Sequence, residues 1–327
     1  MRLTSREREI VEIVRKEPLI SQDELAARLN ITRSSVAVHI SNLMKKGIIL
    51  GKGYVFNERV SCVVLGECHV AINVTPSTGM QAAIGMSMGG FGFTMSRSLT
   101  KFGLDVKLLS IFGTDEDGDR LLSAIQKSAV DVAHAYRPNG TSSTKIVNIR
   151  SKDNPVSFEQ SFNTWDYQKL LDAKEWLAVN CQWLVVQPRL MELVLSRMRG
   201  HEELDRKFIC TCLSTAELDQ MPSDLSLVQL IVLGCQSDEM NSSRVQDQGF
   251  IERGAGNVVV TDGRNIISVS TPEGSHEIPV PPGQGFDLPH GLNDFACGVI
   301  YGLTGGYPVR QAIRIGMGVV NRVEARE

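Results

Sequence analysis

Between Ser61 and Val260 the chain alternates short apolar runs with helical stretches, and this alternation restricts the fold more than any other feature. Ser61–Leu65, Val106–Ile111, Trp183–Val186, Phe208–Cys212, Leu230–Leu233 and Val258–Val260 read as strands buried on both faces. Thr94–Phe102, Arg120–Ser128, Leu170–Val179 and Leu190–Arg199 read as the intervening helices. Strand and helix in turn over more than 200 residues predict a doubly wound α/β domain with a mostly parallel sheet. A chain of 327 residues with 42% hydrophobic content can bury a core of that size. No internal repeat or low-complexity segment interrupts it.

The first 58 residues follow a different plan, and the expected division is 1–58 and 60–327. Thr4 or Ser5 caps a first helix with Ile10, Val11 and Val14 inward, ended by Pro18. Ser21 caps a second, with Glu24 three positions on as a capping box, and the helix stops near Asn30. Thr32 caps a third through Lys46, with Val36, Ile40 and Leu43 as its apolar stripe and Gly47 at its end. Residues 48–55 then alternate around Gly51-Lys52-Gly53, a small hairpin. Helix, turn, helix and hairpin make a winged helix-turn-helix, so the third helix is expected in a DNA major groove. Arg33, Ser34, Ser35, Ala37, His39 and Asn42 are the candidate base readers; Lys45, Lys46 and Lys52 are candidates for phosphates. The bland alternative is an oligomerisation module with a solvated face.

Charge agrees with a DNA-facing head. Residues 1–59 hold 11 Lys and Arg against 7 Asp and Glu, a net +4, while the remainder holds 23 against 30, a net −7. The seven cysteines form no C-x-x-C pair and mostly sit in apolar strings, which predicts buried free thiols in a reducing cytosol. The charged start M-R-L-T-S-R-E-R-E has no apolar core of a signal peptide, and no run approaches the roughly 20 apolar residues a membrane span needs. A cytoplasmic protein with no membrane partner is expected.

Function is most legible between Asp287 and Gly298, D-L-P-H-G-L-N-D-F-A-C-G. A turn-forming run (Pro281, Pro282, Gly283, Gly285, Pro289, Gly291) delivers the chain into an apolar helix, Phe295–Leu303, whose N-terminus suits an anion. The stretch resembles the phosphate-site motif of ribokinase-like (phosphofructokinase-B family) carbohydrate kinases, D-x-T-G-A-G-D-x-F-x-x-G. Upstream, G-G-F-G-F-T-M-S-R-S-L-T-K-F-G followed by S-I-F-G-T-D-E-D-G resembles that family's paired-glycine signature, and order and spacing agree from Gly66 onward. The head resembles the helix-turn-helix of many bacterial transcription regulators, and of some ribokinase-like proteins that carry such a head.

The resemblance implies a ribokinase-like body with a small β lid over the ligand, drawn from Ile72–Val74, Ser143–Ile149 and Val156–Gln160. It also implies specific departures. Asp287, Phe295 and Gly298 match, but His290 and Leu292 replace two glycines that let backbone approach phosphate, flanking Gly291, and Asn293 replaces the catalytic base. The family's sugar-binding Asp is Ala71, two residues after His69; Gly89 and Gly90 remain, followed by Thr94 where the family has a substrate-contacting Asn. The acid that organises Mg²⁺ survives as Glu239, its partner amide lengthened to Gln236. The chain also reaches Glu327 soon after a helix expected over Val309–Val320, where family members usually continue. A one-residue shift would let Asp294 serve as base, leaving an active kinase that uses ATP and Mg²⁺; a metal site from His290, Asp294 and Glu239 is a lesser alternative. The favoured expectation is a degenerate kinase, a pseudokinase kept for binding: a dimeric transcription regulator that reads double-stranded DNA and senses a sugar, nucleoside or phosphorylated metabolite. A structural partner of an active kinase is the third option.

Overall fold

The structure, a computed structural model, describes residues 4–324 other than 18–19, 46–48, 50–59, 77–81, 150–155, 202–207 and 289. Three helices form the head: α1 (Ser5–Lys16), α2 (Gln22–Leu29) and α3 (Arg33–Lys45). The predicted capping box at Ser21 is present, and Thr4, one of the two expected caps of the first helix, forms a second box. Thr4 and Glu7 exchange side-chain and backbone bonds at 2.7 and 3.2 Å, and Ser21 and Glu24 do so at 2.8 and 3.2 Å. Asn30 turns the corner to α3 with φ +52°, a conformation Asn tolerates better than most residues. Ile10, Val14, Leu25, Val36, Ile40 and Leu43 close a core of their own. Pro18, Gly47, Lys46, Lys52 and the linker 57–59 lie outside the described residues. So does the expected hairpin, apart from Ile49, which is buried and bonded to Leu43.

The body begins with β1 (Val60–Leu65), β2 (His69–Pro76), β3 (Ala82–Gly89), α4 (Phe91–Lys101), β4 (Val106–Leu109) and α5 (Glu116–Gln126). It continues through β5 (Lys145–Ile149), β6 (Val156–Gln160), α6 (Thr164–Val179), β7 (Cys181–Val186), α7 (Met191–Met198), β8 (Ile209–Ser214) and β9 (Val228–Gly234). Last come α8 (Met240–Glu252), β10 (Asn257–Thr261), β11 (Ile266–Thr271), β12 (Gly274–Pro279), α9 (His290–Thr304) and α10 (Val309–Glu324). Eight strands in the order β12-β11-β10-β9-β8-β7-β1-β4 make the main sheet, parallel except for β11 and β12. One face packs on α4, α9 and α10, the other on α6, α7 and α8, so strands β1 and β7–β10 are buried on both sides. All seven cysteines are buried free thiols within it.

The second sheet, β3-β2-β5-β6, supplies the expected lid from the segments predicted for it, plus β3. Its two faces differ in chemistry. His69, Ala71 and Asn73 alternate with Val70, Ile72 and Val74 along β2, so the first three share one face. The opposite face presents Ile84, Met86 and Phe158 to solvent.

Several boundaries depart from expectation; α6, for one, starts at Thr164, not Leu170, because Asn163 caps it. The helix α4 starts at Phe91, not Thr94, and α5 at Glu116, not Arg120, because Gly90 and Asp115 serve as N-caps. The strand β4 stops at Leu109, with Ile111 making only an isolated bridge to Tyr136. The helix expected over Phe295–Leu303 starts at His290: Gly291 donates to the Asp287 carbonyl at 2.9 Å, and its bare Cα lies under the Phe286 ring. The motif residues 290–294 are therefore the first turn of α9, not a loop before it.

The lid is tied to the main sheet by a close approach at the start of α4. Gly90 has φ +101°, and a Cβ there would overlap the Glu67 carbonyl; a Cβ on Gly92 would sit 2.6 Å from the Gly66 oxygen. Gly90→Ala is therefore expected to cost about 3 kcal/mol or more, combining a glycine-only conformation with overlap. Gly103→Ala, at φ +80° but with nothing within 4 Å, should cost only about 1–2 kcal/mol. Denaturant midpoints of the two variants check that order.

Candidate functional site

Loops at the carboxyl ends of parallel strands converge to form the candidate site, as open α/β sheets require. The Gly66–Cys68 loop after β1 lies under the N-terminus of α4, where Gly92 donates to the Glu67 carbonyl at 2.8 Å. Gly89 pairs with His69 across the lid, and Ala71 pairs with Ser87. Thr94 sits half-buried in the first turn of α4, its N–H bonded to the Gly90 carbonyl. The sequence signals thus bring His69, Ala71, Gly89, Gly90 and Thr94 around one loop and one helix start. Glu67 was not singled out from sequence, yet it is 5% exposed and bound to both His69 and Arg189. Burial pushes the neighbouring Cys68 thiol up to about 12, so it is no nucleophile.

A second cluster lies across the sheet. A cleft of about 310 Å³ is lined by Ser214, Thr215, Ala216, Gly234, Cys235, Gln236, Leu288 and Leu292. None of these is charged. Leu292 is 4% exposed and turned against the end of β9: a Cβ on Gly234 would meet its Cδ2 at 2.6 Å. Glu239 is committed locally, its Oε2 accepting from the Gln236 N–H at 3.0 Å and the Thr215 hydroxyl at 3.1 Å, while the Gln236 side chain caps Glu239 in return. Ser237 of the same turn donates to Asp262 at 2.8 Å. Burial opposes the Asp262 charge, but the N–H groups of Asn265 and Arg264, the Asn265 amide and Ser237 hold its carboxyl down to about 2.

The helix start that sequence reading marked for an anion is arranged differently from expectation. Asp287 is exposed and paired with Arg264. His290 opens α9, though its side chain is outside the described residues. Asn293 is half-buried, with no hydrogen-bond partner among the described residues. Asp294 points away from the cleft: Ser98 of α4 donates to its Oδ1 at 2.5 Å, joining two helices 196 positions apart in sequence. Among the described residues, no group of three His, Cys, Asp or Glu is placed to hold a metal ion.

In the head, α3 buries Val36, Ile40 and Leu43, so its outermost line is Ser34, Val38, Ser41 and Lys45. Val38 is 58% exposed. Of the predicted readers, Ser34 and Ala37 are exposed, while Ser35, His39 and Asn42 are half-buried on the flank. Arg33 is exposed beside Asp23 at 3.6 Å. Val38 and Ser41 were missed from sequence, although both stand half a turn from the buried stripe.

Two family models match separate stretches of the chain. Residues 3–49 match the winged helix-turn-helix DNA-binding family, and residues 60–196 match the pfkB family of carbohydrate kinases. The body has the ribokinase-like fold. Ribokinase from Thermotoga maritima superposes with a TM-score of 0.63 at 12% identity, covering 80% of this chain and 92% of that one. A PfkB protein from Polaromonas sp. JS666 superposes at 0.61 and 19% identity, covering 80% and 94%. By sequence, the uncharacterized sugar kinase YeiI of Escherichia coli (strain K12) is 38% identical over 157 residues, 46% of this chain and 43% of that one. The chain spans less than half the length of the curated relatives it matches. The pfkB match ends at residue 196, ahead of Gln236 and the 287–298 stretch of the ribokinase-like body.

Two outcomes are expected from these contacts. Ser98→Ala, Asp294→Ala and the double variant should show a coupling of about 1.5–3 kcal/mol, the size of a hydrogen bond to a charged acceptor; a solvent-facing Asp294 would give none. Asp262, depressed from 3.8 to about 2, contributes stability that is full above its unfolded value and lost as pH falls through the folded one. Melting wild type and Asp262→Asn between neutral pH and about pH 2 should show the variant losing less stability in that window.

Proposed function

We propose that this protein is a DNA-binding transcription regulator whose ribokinase-like body binds a sugar, nucleoside or phosphorylated metabolite without transferring phosphate to it. The hydrogen bond that commits Asp294 to Ser98 carries the reading. With Asn293 at the position of the family's base, Asp294 is the remaining carboxylate in the first turn of α9, and its partner lies in α4, not in the cleft. General-base assistance is typically worth about 10²–10⁴-fold in rate. The residues also fit poorly to a nucleotide with its cation. Leu288 and Leu292 occupy the cleft wall where phosphate would need donors, and Glu239 is spent on its own turn. The surviving glycines at 66, 90, 92, 113 and 118 are ones whose Cβ would strike backbone or a neighbouring ring, so they serve the fold whether or not chemistry remains.

The head supplies the output. Ser34, Ala37, Val38 and Ser41 form a groove-facing surface of two hydroxyl donors and two methyl-bearing side chains, with Lys45 placed for phosphate. A single winged module binds weakly, so a homodimer reading two half-sites completes the proposal. The outward face of the lid, with Ile84 69%, Met86 57% and Phe158 60% exposed, is an apolar surface suited to a second copy. We place the protein in the cytoplasm, where its DNA and its ligand meet.

The test is selection from random DNA, followed by titration of the recovered operator with and without free pentoses, hexoses and nucleosides. A recovered motif whose affinity shifts about 5- to 150-fold with one of these supports the proposal. Recovery of no motif would sink it. Within that operator, Val38→Ala should relax one A·T preference by about 1 kcal/mol. Lys45→Ala should weaken all sequences alike and flatten the salt dependence.

A further inference from the structure

Glu67 organises the corner between the main sheet and the lid. Its carboxylate is fully engaged: Oε2 takes the Arg189 guanidinium at 2.6 Å, and Oε1 lies 3.1 Å from His69 Nδ1. Its N–H donates to Gln187 Oε1 at 2.8 Å, and Arg189 donates a second time to the Phe162 carbonyl at 3.2 Å. The four residues therefore hold one another in place from the loop after β1, from β2 and from the loop after β7.

The chemistry of this corner assigns the histidine's protons. A carboxylate in an ion pair only accepts, so His69 Nδ1 must be the donor of the 3.1 Å contact. In a neutral imidazole one nitrogen donates and the other accepts, which leaves Nε2 as a bare lone pair. That atom has no hydrogen-bond partner among the described residues. It faces the bare Cα of Gly89, where a Cβ would come within 3.2 Å, and it shares the lid face of Ala71 and Asn73.

We infer that the Arg189–Glu67–His69 relay locks His69 as the Nδ1–H tautomer, so that Nε2 accepts a hydrogen bond from a hydroxyl of an uncharged, hydroxylated ligand. The acceptor that Ala71 cannot provide is thus supplied from two residues upstream. Glu67 and Arg189 are positioning residues; His69 is the contact. The inference rests on the ligand-binding reading of the body and is independent of any role of the head.

Histidine-ring proton–nitrogen correlation NMR on the full ¹⁵N-labelled chain, at mildly alkaline pH, tests it. The His69 signals are assigned by their loss in His69→Gln. The expected result is an Nδ1–H ring with an unprotonated Nε2. In Glu67→Gln, Arg189 still claims the amide oxygen, so the amide N–H faces Nδ1 and should invert the ring to the Nε2–H form. A wild-type Nε2–H ring overturns the proposal without need of any variant, and so does a tautomer unchanged in a folded Glu67→Gln. The second arm titrates D-ribose, D-fructose and adenosine. A binder is expected to move the His69 Nε2 resonance, and its analogue lacking the contacting hydroxyl should bind about 10-fold or more weakly. A binder that leaves Nε2 unmoved, or failure of the whole panel to bind, overturns the ligand assignment. Loss of DNA regulation with an intact Nε2 response would count against the proposed function alone.

Discussion

The rest of the body depends on the contact between the Gly66–Cys68 loop and the start of α4. Gly90 and Gly92 let a helix N-terminus rest directly on the carbonyls of Gly66 and Glu67. That contact fixes where β1 ends, where β2 turns away into the lid and where β3 returns. A second contact of the same kind ties the other side: a Cβ on Gly118 would strike the Gly113 backbone and the Ser143 hydroxyl. Asp115 receives that hydroxyl at 2.6 Å, just ahead of β5. Two glycine-dependent approaches thus hold the small sheet over the edge of the large one. Side chains added at these points would push the lid and the ligand face apart.

Once the edge is assembled, five of its carboxylates are bound by the protein itself. Glu67 is held by Arg189, Glu239 by its own turn and Thr215, Asp262 by Asn265 and Ser237, Asp287 by Arg264, and Asp294 by Ser98. Phosphoryl transfer needs carboxylates that can hold a cation or take a proton at the moment of reaction. Here each one serves as a strut. Leu288 and Leu292 fill the cleft wall beside Gly234.

Much of this was legible in the sequence because it depends on local physics. The Ser21–Glu24 capping box is a four-residue pattern, and the buried strands are continuous apolar runs. Features that depend on distant partners were less visible. The strand β3, A-A-I-G-M-S-M-G, alternates weakly and has two glycines, so nothing local separates it from a loop. The β11–β12 hairpin is an antiparallel edge with a partly polar pattern. Gly291 looks like a turn residue, yet it is helical because its bare Cα fits beneath Phe286. The Ser98–Asp294 bond spans 196 positions, and Glu67 acquires its partners 122 positions away or through the lid. For α3, the buried stripe was read correctly while the opposite face was not counted out, so Val38 and Ser41 were passed over for His39 and Asn42.

The central claim is that the ribokinase-like fold is retained here for binding. Its most direct test is turnover by the purified full chain with ATP, Mg²⁺ and the same sugars and nucleosides, following product phosphate ester and ADP together. The account predicts no substrate-dependent ADP above the background of ATP hydrolysis. A turnover number near 1 s⁻¹ or above, at the low end of ordinary enzymes, that disappears in Asp294→Asn would contradict it. That result would mean Asp294 leaves Ser98 to act as the base.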